Sequence, residues 1–357
     1  MAALASSLRR PAVIVALLGL VLSLLLELVH YRAYVVPSAS SFCSAGAKLD
    51  CASVALSRYS VVLGVPMPLW GVAGFLALLV AAWRRSRWLL PLAALATLAS
   101  LALLVIELTI IGSVCLLCEA VHVACAVLLV LGWRERKTGG SLTSREDALL
   151  IFAPALGLLA ALMLFQRPYW GVFNWKGDVP FPQGTTAEGY PWIGAEQPKV
   201  TVHEFTDYSC PHCKVASNRL LRVLAEHADE LRIVRRQNSR MPCPVGVTVA
   251  CEMPRIAYCA QEQGKAWAAD RWLFEHGTGR SSVDLNEAAR DIGLDAPKLR
   301  ACVIRDDIYR RAEADAKLVR KKQLPGTPYY LVNDKKMDPE QLDRHLAAVW
   351  SGAASAP

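Results

Sequence analysis

Five apolar runs in the first half of the chain leave few folds open to it. They are Pro11–Tyr31, Pro66–Trp83, Trp88–Ile111, Val114–Trp133 and Ala148–Phe165. About 20 helical residues cross the roughly 30 Å hydrocarbon core of a bilayer. Inside lipid a backbone has no water to bond, so runs of this kind close their hydrogen bonds as helices. The runs stop near Phe165, and the residues beyond it have the polarity of a soluble domain. A chain of 357 residues is long enough for both parts. The first run lacks a small-residue cleavage site and four more runs succeed it, so it reads as an anchor rather than a signal peptide.

Charge supplies the orientation. Arg9 and Arg10 precede the first run, Arg84, Arg85 and Arg87 separate the second and third, and Arg134, Arg136, Lys137 and Arg145 separate the fourth and fifth. Basic residues near span ends stay on the cytoplasmic side. All three clusters share that side if the N-terminus is cytoplasmic. Five spans then put the soluble half outside, together with the Arg32–Val65 loop and the start of the fourth run. The net charge of +8 is thereby explained by topology, and no nucleic-acid partner is expected.

Eleven cysteines suit an oxidising compartment. Cys115-Leu-Leu-Cys118 opens the fourth run. Thiols at i and i+3 share one helix face, and a helix N-terminus favours the thiolate, the reactive form. The outside loop holds Cys43 and Cys51. On spacing alone these form a bridge that stiffens the loop; sharing a membrane face with Cys115 and Cys118 suggests a relay. Zinc is the competing use of paired cysteines. However, one CxxC lies in a membrane helix and the other, Cys210-Pro-His-Cys213, has no nearby second ligand pair, so no metal is expected. Glu107, Glu119 and His122 are ionisable groups inside spans, either paired toward the bundle interior or part of a proton route. Cys125, on a similar face to Cys118, reads as core packing.

Cys43, Cys51 and Ser57, the Gly64-Val65-Pro66 turn, Glu107 and the late Cys115-x-x-Cys118 resemble the vitamin K epoxide reductase family over roughly residues 10–165. The resemblance implies a four-helix core around a quinone site at the outer membrane face. Cys118 would lie nearest the quinone and Cys115 would exchange with the Cys43–Cys51 shuttle. Ser57 would support the site by hydrogen bonding, with Glu107 and His122 as further candidates for quinone contact. Family members often carry an aromatic residue where this chain has His122.

The stretch from Gln166 to Lys199 is rich in Pro, Gly and aromatics and reads as a linker, its first part on the outer membrane surface. Beyond it, Lys199–Thr206 reads as a strand, Cys210–Cys213 as a turn into a helix, Leu231–Gln237 as a second strand and about 245–322 as a helical region. Tyr329–Val332 reads as a strand, and a last helix starts at Asp338-Pro339 with Gln341 at its third position. A CxxC between strand and helix is a thioredoxin-like redox site. The Cys-Pro-His-Cys version, the helical insertion and Thr327-Pro328 resemble the DsbA-like branch of that superfamily. That resemblance implies a cis-proline turn beside the active site. Cys210, at a helix N-terminus beside His212, should be acidic and partly exposed; Cys213 would resolve. Cys243–Cys251 and Cys259–Cys302 are candidate structural bridges, although four cysteines permit three connectivities.

The expected architecture is therefore a multi-pass α-helical membrane bundle of five transmembrane helices (residues 1–168), a linker (169–193) and an α/β thioredoxin-like domain with a helical insertion (194–350). Together the two resemblances imply disulfide formation in exported proteins. Electrons would run from a substrate dithiol to Cys210/Cys213, to Cys43/Cys51, to Cys115/Cys118 and to a quinone of ubiquinone or menaquinone type. The fused layout resembles bacterial members, which implies the inner membrane with the thioredoxin domain periplasmic. Two other readings are a membrane-anchored reductase or isomerase and a non-enzymatic chaperone that binds clients. The first needs cysteines reachable from the inner face, and none lies near Arg84–Arg87 or Arg134–Arg145.

Overall fold

The structure, a computed structural model, describes residues 10–35, 49–135, 144–165, 169–172, 180–238, 252–278, 280, 282–324 and 327–352. These fall into two compact units, the first ending at Gly171 and the second starting at Val172.

In the first unit the apolar runs are helices: α1 (Pro11–Val35), α3 (Met67–Arg84), α4 (Leu89–Ile106), α5 (Leu116–Glu135) and α6 (Ser144–Phe165). A short helix, α2 (Cys51–Ala55), and the hairpin β1 (Val61–Val62) and β2 (Val65–Pro66) lie between α1 and α3. Five of the described helices are long and apolar enough to cross a membrane. Their outward faces keep Leu and Val exposed, as lipid permits, while small residues line the contacts between helices. At Gly19 a Cβ would sit 2.0 Å from the Phe75 ring, so α1 and α3 touch there only because the side chain is absent.

Helix α4 does not stop cleanly. It widens into a π-turn, Glu107–Ile111, closed by a bond from Gly112 N–H to Glu107 C=O at 2.9 Å. Single π-turns of this kind recur at functional sites because they re-aim one side chain. At the opposite end of the bundle Arg10 donates to the Trp83 carbonyl. The N-terminal arginine and the α3–α4 turn therefore share one end, and the cysteines of the α5 start the other.

The second unit is a six-stranded sheet in the order β3-β4-β6-β5-β7-β8. Its strands are β3 (Gln183–Thr185), β4 (Pro191–Gly194), β5 (Val200–Thr206), β6 (Leu231–Gln237), β7 (Tyr329–Val332) and β8 (Lys335–Met337). Only β5 and β6 run parallel, joined by α7 (Pro211–Glu226). The sheet begins earlier than the sequence indicates: β3 and β4 lie inside the stretch read as linker. They are short and rich in Gly, Pro and Trp, and their strand character comes from pairing β4 to β6, with Ile193 opposite Ile233.

Between β6 and β7 comes the helical insertion: α8 (Glu252–Glu262), α9 (Ala266–Gly277), α10 (Leu285–Ile292), α11 (Ala296–Val303) and α12 (Asp306–Lys321). It has its own core around Ile256, Leu273 and Leu299. On the other side Leu220 and Leu224 of α7 pack with Leu342 and Leu346 of α13 (Pro339–Trp350). Helix α13 starts in a capping box, Asp338 accepting from Gln341 N–H while the Gln341 side chain accepts from Asp338 N–H.

Cys259 and Cys302 form a disulfide across the insertion, 43 residues apart in sequence. Cys243 and Cys251 lie outside the described residues. Closing a loop of that length removes unfolded-state entropy worth roughly 3–4 kcal/mol. Cys302→Ser should lower the stability of the second unit by about that amount, measured by denaturant unfolding of the full chain in detergent.

Candidate functional site

Cys115 occupies the N-cap position of α5: its carbonyl accepts from Glu119 N–H at 3.0 Å, and the helix begins at Leu116. Cys118 is then at the third helical position, and its N–H donates to Cys115 Sγ at 3.4 Å. The N–H of Cys115 itself donates to the Glu107 carboxylate, which the π-turn aims back toward α5. Glu107 in turn lies 4.0 Å from His122 Nε2, and Ser100 Oγ bonds His122 Nδ1. Glu107, Glu119 and His122 bring one ligand atom each within 4.8 Å of one another, close enough for a cation.

The loop after α1 comes to this centre through the backbone. Leu49 bridges Val114, and Asp50 N–H donates to Val114 C=O at 3.1 Å. Asp50 also caps α2, so Cys51 becomes its first residue. Cys51, which is disulfide-bonded, and Cys115 share one buried cluster with Val29. Cys43, read as the partner of Cys51, lies outside the described residues.

All of this opens on one cavity of about 410 Å³. Cys51, Ser57, Glu107, Cys115, Cys118, His122 and Cys125 line it, together with apolar side chains of α1, α3 and α4. No α6 residue contributes among the described residues, so the lining is a four-helix affair with α6 packed outside against α3. Two buried polar atoms on the lining, Ser57 Oγ and His122 Nε2, have no hydrogen-bond partner among the described residues. Sequence reasoning named these residues but missed Trp70, His30 and Ser60, which also line the cavity. Only His30 carried a sequence signal, as an ionisable group near the end of an apolar run.

In the second unit Cys210 is the N-cap of α7, with Pro211 at the first helical position. Cys213 N–H donates to Cys210 C=O at 3.1 Å, which puts Cys213 at the third position, the same arrangement as in the membrane unit. Cys210 Sγ lies 3.9 Å from the Thr327 carbonyl, and the Thr327–Pro328 peptide is cis. His212 follows within the first turn of α7. Cys210 is only 1% exposed, against the expectation of a partly exposed thiol. The insertion core closes over the motif: both cysteines belong to the same buried cluster as Tyr208, Met253 and Phe274. Burial pushes the Cys213 thiol well above its ordinary range.

The profile of the vitamin K epoxide reductase family matches residues 10–133, and that of a thioredoxin family matches residues 186–349. The chain is a vitamin K epoxide reductase family domain fused to a thioredoxin domain. Among curated proteins the fusion matches the Na(+)/H(+) antiporter NhaA 3 of Salinispora tropica, 27% identical over 164 residues, 46% of this chain. The match spans only 24% of the antiporter's length. Among solved structures, a thioredoxin-like oxidoreductase from Silicibacter pomeroyi is 25% identical and covers 45% of this chain and 92% of its own, with a TM-score of 0.38. BdbD from Bacillus subtilis is 19% identical over 49% of this chain and 100% of its own, with a TM-score of 0.40.

Beneath the thioredoxin-domain motif lies a buried charge cluster. Arg235 pairs with Glu204 at 2.5 Å and with Asp270 at 2.7 Å, and Tyr208 O–H donates to Asp270 at 2.8 Å. Burial lifts the Glu204 carboxyl to about 7, Arg235 opposing and Asp270 adding to the rise. A carboxyl raised in the folded state binds its proton more tightly there than in the unfolded chain. Its contribution is thus fully present below pH ~4.5 and lost as pH rises through about 7. Glu204→Gln should flatten that part of the profile, so that the stability difference between pH 5 and pH 8 shrinks. Thermal unfolding of the full chain at both pH values measures it.

Proposed function

We propose that the fusion is a thiol–disulfide oxidoreductase that forms disulfides in exported proteins and passes the electrons to a membrane quinone. The observation that carries this reading is the membrane-unit cavity, where Cys51, Cys115 and Cys118 meet one apolar space. The cavity suits a quinone ring with an apolar tail. Its walls are largely apolar, and Ser57 Oγ and His122 Nε2, which have no hydrogen-bond partner among the described residues, are placed to bond carbonyl oxygens. A bound quinone accepts two electrons and two protons.

The protein's own groups do the rest. A substrate thiolate attacks the Cys210–Cys213 disulfide, and the substrate's second thiolate attacks the mixed disulfide, leaving Cys210 and Cys213 as thiols. The same exchange passes the oxidation on from Cys43–Cys51, with Cys115 as the residue that meets the loop pair and Cys118 the one facing the cavity. Each exchange breaks one S–S bond and forms another. Helix N-termini at Cys115 and Cys210 favour the thiolates these attacks need. Glu107, bonded to Cys115 N–H, fixes the turn that presents the pair. The reading includes a bacterial inner membrane, a cytoplasmic N-terminus and a periplasmic thioredoxin domain.

The test is anaerobic incubation of purified full-length protein with a reduced dithiol peptide and a quinone. Wild type should convert both, one quinol per disulfide. Cys118→Ala should abolish quinol formation. Cys210→Ala should stop peptide oxidation yet keep quinol formation driven by a small dithiol acting directly on the membrane unit. Peptide oxidation that consumes no quinone would refute the reading. A second expected outcome concerns the cavity wall: Ser57→Ala should weaken quinone binding by roughly five- to tenfold, the scale of one neutral hydrogen bond, measured by equilibrium titration.

A further inference from the structure

The helical insertion reaches the Cys210–Cys213 motif through one face of α9. Trp267, Asp270 and Phe274 stand three and four residues apart, so they share that face, and all three meet Arg235. The guanidinium carbon lies 5.2 Å from the Trp267 ring centroid and 5.5 Å from that of Phe274. Asp270 holds the guanidinium with both oxygens: Oδ1 lies 2.7 Å from Nε, and Oδ2 accepts from Nη2 at 2.9 Å. Nη2 also donates to Ser217 Oγ at 2.7 Å, one turn beyond Cys213 on α7. On the other side of the motif Asp270 Oδ1 accepts from the O–H of Tyr208, two residues before Cys210. The Phe274 ring stands edge-on to Tyr208 with 4.9 Å between ring centroids. Asp270 thus grips the CxxC segment at both ends, directly at Tyr208 and through Arg235 at Ser217. Asp270, Arg235, Ser217 and Tyr208 are each at most 4% exposed.

The charges in this cluster do not cancel. Arg235 is one cation and faces two carboxylates, Asp270 from the insertion and Glu204 from β5. Either one carboxyl holds a proton or the cluster carries an excess negative charge. Burial and the Asp270 charge put that proton on Glu204, up to about pH 7. Glu204 is the cross-strand neighbour of Tyr330 on β7, and the Tyr330 hydroxyl feels the charges of both Glu204 and Cys213. The excess charge therefore arises close to the sulfurs, where burial leaves it little screened. It opposes the thiolate that the start of α7 favours at Cys210. That thiolate exists only in the reduced form, so the excess charge favours the disulfide. Tyr208 and Tyr330 are the other titratable groups against the cluster. Across the cleft that Asp270 also lines stand Lys214, Lys265, Arg271 and Glu275.

We infer that Asp270 is a positioning residue for the Cys210–Cys213 couple: it ties the insertion to both ends of the motif and, by sharing Arg235 with Glu204, makes the disulfide a weaker oxidant. The inference rests on thiol exchange at this pair, as proposed above. With glutathione as the reductant, two glutathione thiols close into one S–S bond and give up two electrons and two protons. The Cys210–Cys213 bond takes the electrons and opens to a Cys210 thiolate and a Cys213 thiol; one proton goes to Cys213 and the other to water. With Glu204 ionised, Asp270 leaves one negative charge beside that thiolate. With Glu204 protonated the cluster is neutral. Without the Asp270 charge, Arg235 and Glu204 cancel each other on both sides of that transition.

The test equilibrates full-length protein in detergent with reduced and oxidised glutathione at pH 8 and at pH 5.5. Alkylation and peptide mass analysis read the Cys210–Cys213 pair apart from the other cysteines. Asp270→Asn keeps the side-chain shape and an acceptor for Tyr208 but removes the charge. At pH 8 it should move the equilibrium toward the reduced pair by about three- to tenfold, the scale of one buried unit charge nearby, or about 15–30 mV. At pH 5.5 the shift should fall below about twofold, because Glu204 is then protonated in wild type. Asp315→Asn is the control: it removes another fully buried carboxylate, paired with Arg236 at 2.8 Å. It should lower Tm and leave the couple at the wild-type value, since a contact that only holds the fold stabilises oxidised and reduced forms alike. Should Asp270→Asn fail to fold, Glu204→Gln removes the same excess charge from the strand side and must give the same shift at pH 8. An unmoved equilibrium at pH 8, a shift of equal size at both pH values, or an equal shift in Asp315→Asn would overturn the role of Asp270. A wild-type pair that does not exchange with glutathione would instead overturn the thiol-exchange function itself.

Discussion

One backbone hydrogen bond, Asp50 N–H to Val114 C=O, joins the two cysteine-bearing segments of the membrane unit. In apolar surroundings an unpaired amide costs several kcal/mol, so a bond of this kind is hard to exchange for anything else. It sits one residue before Cys51 and one before Cys115. Asp50 then caps α2 and Cys115 caps α5, so a single contact sets the depth of both sulfurs. The cavity, the Glu107 contact and the exchange between the pairs all depend on that depth.

Both CxxC motifs solve the same local problem in the same way. The first cysteine is an N-cap and the second is the third helical residue, in the helical unit as in the sheet unit. What differs is the shell around them. Cys118 faces an apolar cavity framed by four spans, whereas Cys210 lies under the helical insertion and against the Thr327 carbonyl. A helix start lends the same electrostatic help to either sulfur. The surroundings decide what can reach it.

Polar groups inside each unit are gathered rather than scattered. In the membrane unit they form two sets, Glu107 with His122, and Glu27 with His30 through Tyr169. In the second unit Arg235 collects Glu204 and Asp270. Removing one member of such a set strands the others, because a buried charge without a partner is far costlier than the pair.

The amino-acid sequence by itself determined the features whose causes are local. The five spans come from unbroken apolar runs, the strands Leu231–Gln237 and Tyr329–Val332 from short apolar stretches between turn residues, and the start of α13 from Asp338, Pro339 and Gln341 standing at the cap spacing. Both CxxC helices were legible for the same reason. Only the tertiary structure decided which groups meet. Glu107 reaches Cys115 through a π-turn that no periodicity announces. Strand β4 exists because β6 pairs with it, and β3 because it pairs with β4; Cys210 is buried because an insertion more than forty residues downstream folds over it. Tyr169 meets Glu27 across 142 residues. Local pattern sets how each segment folds; contacts between distant segments depend on how helices and strands pack, and that is written in no single stretch of the chain.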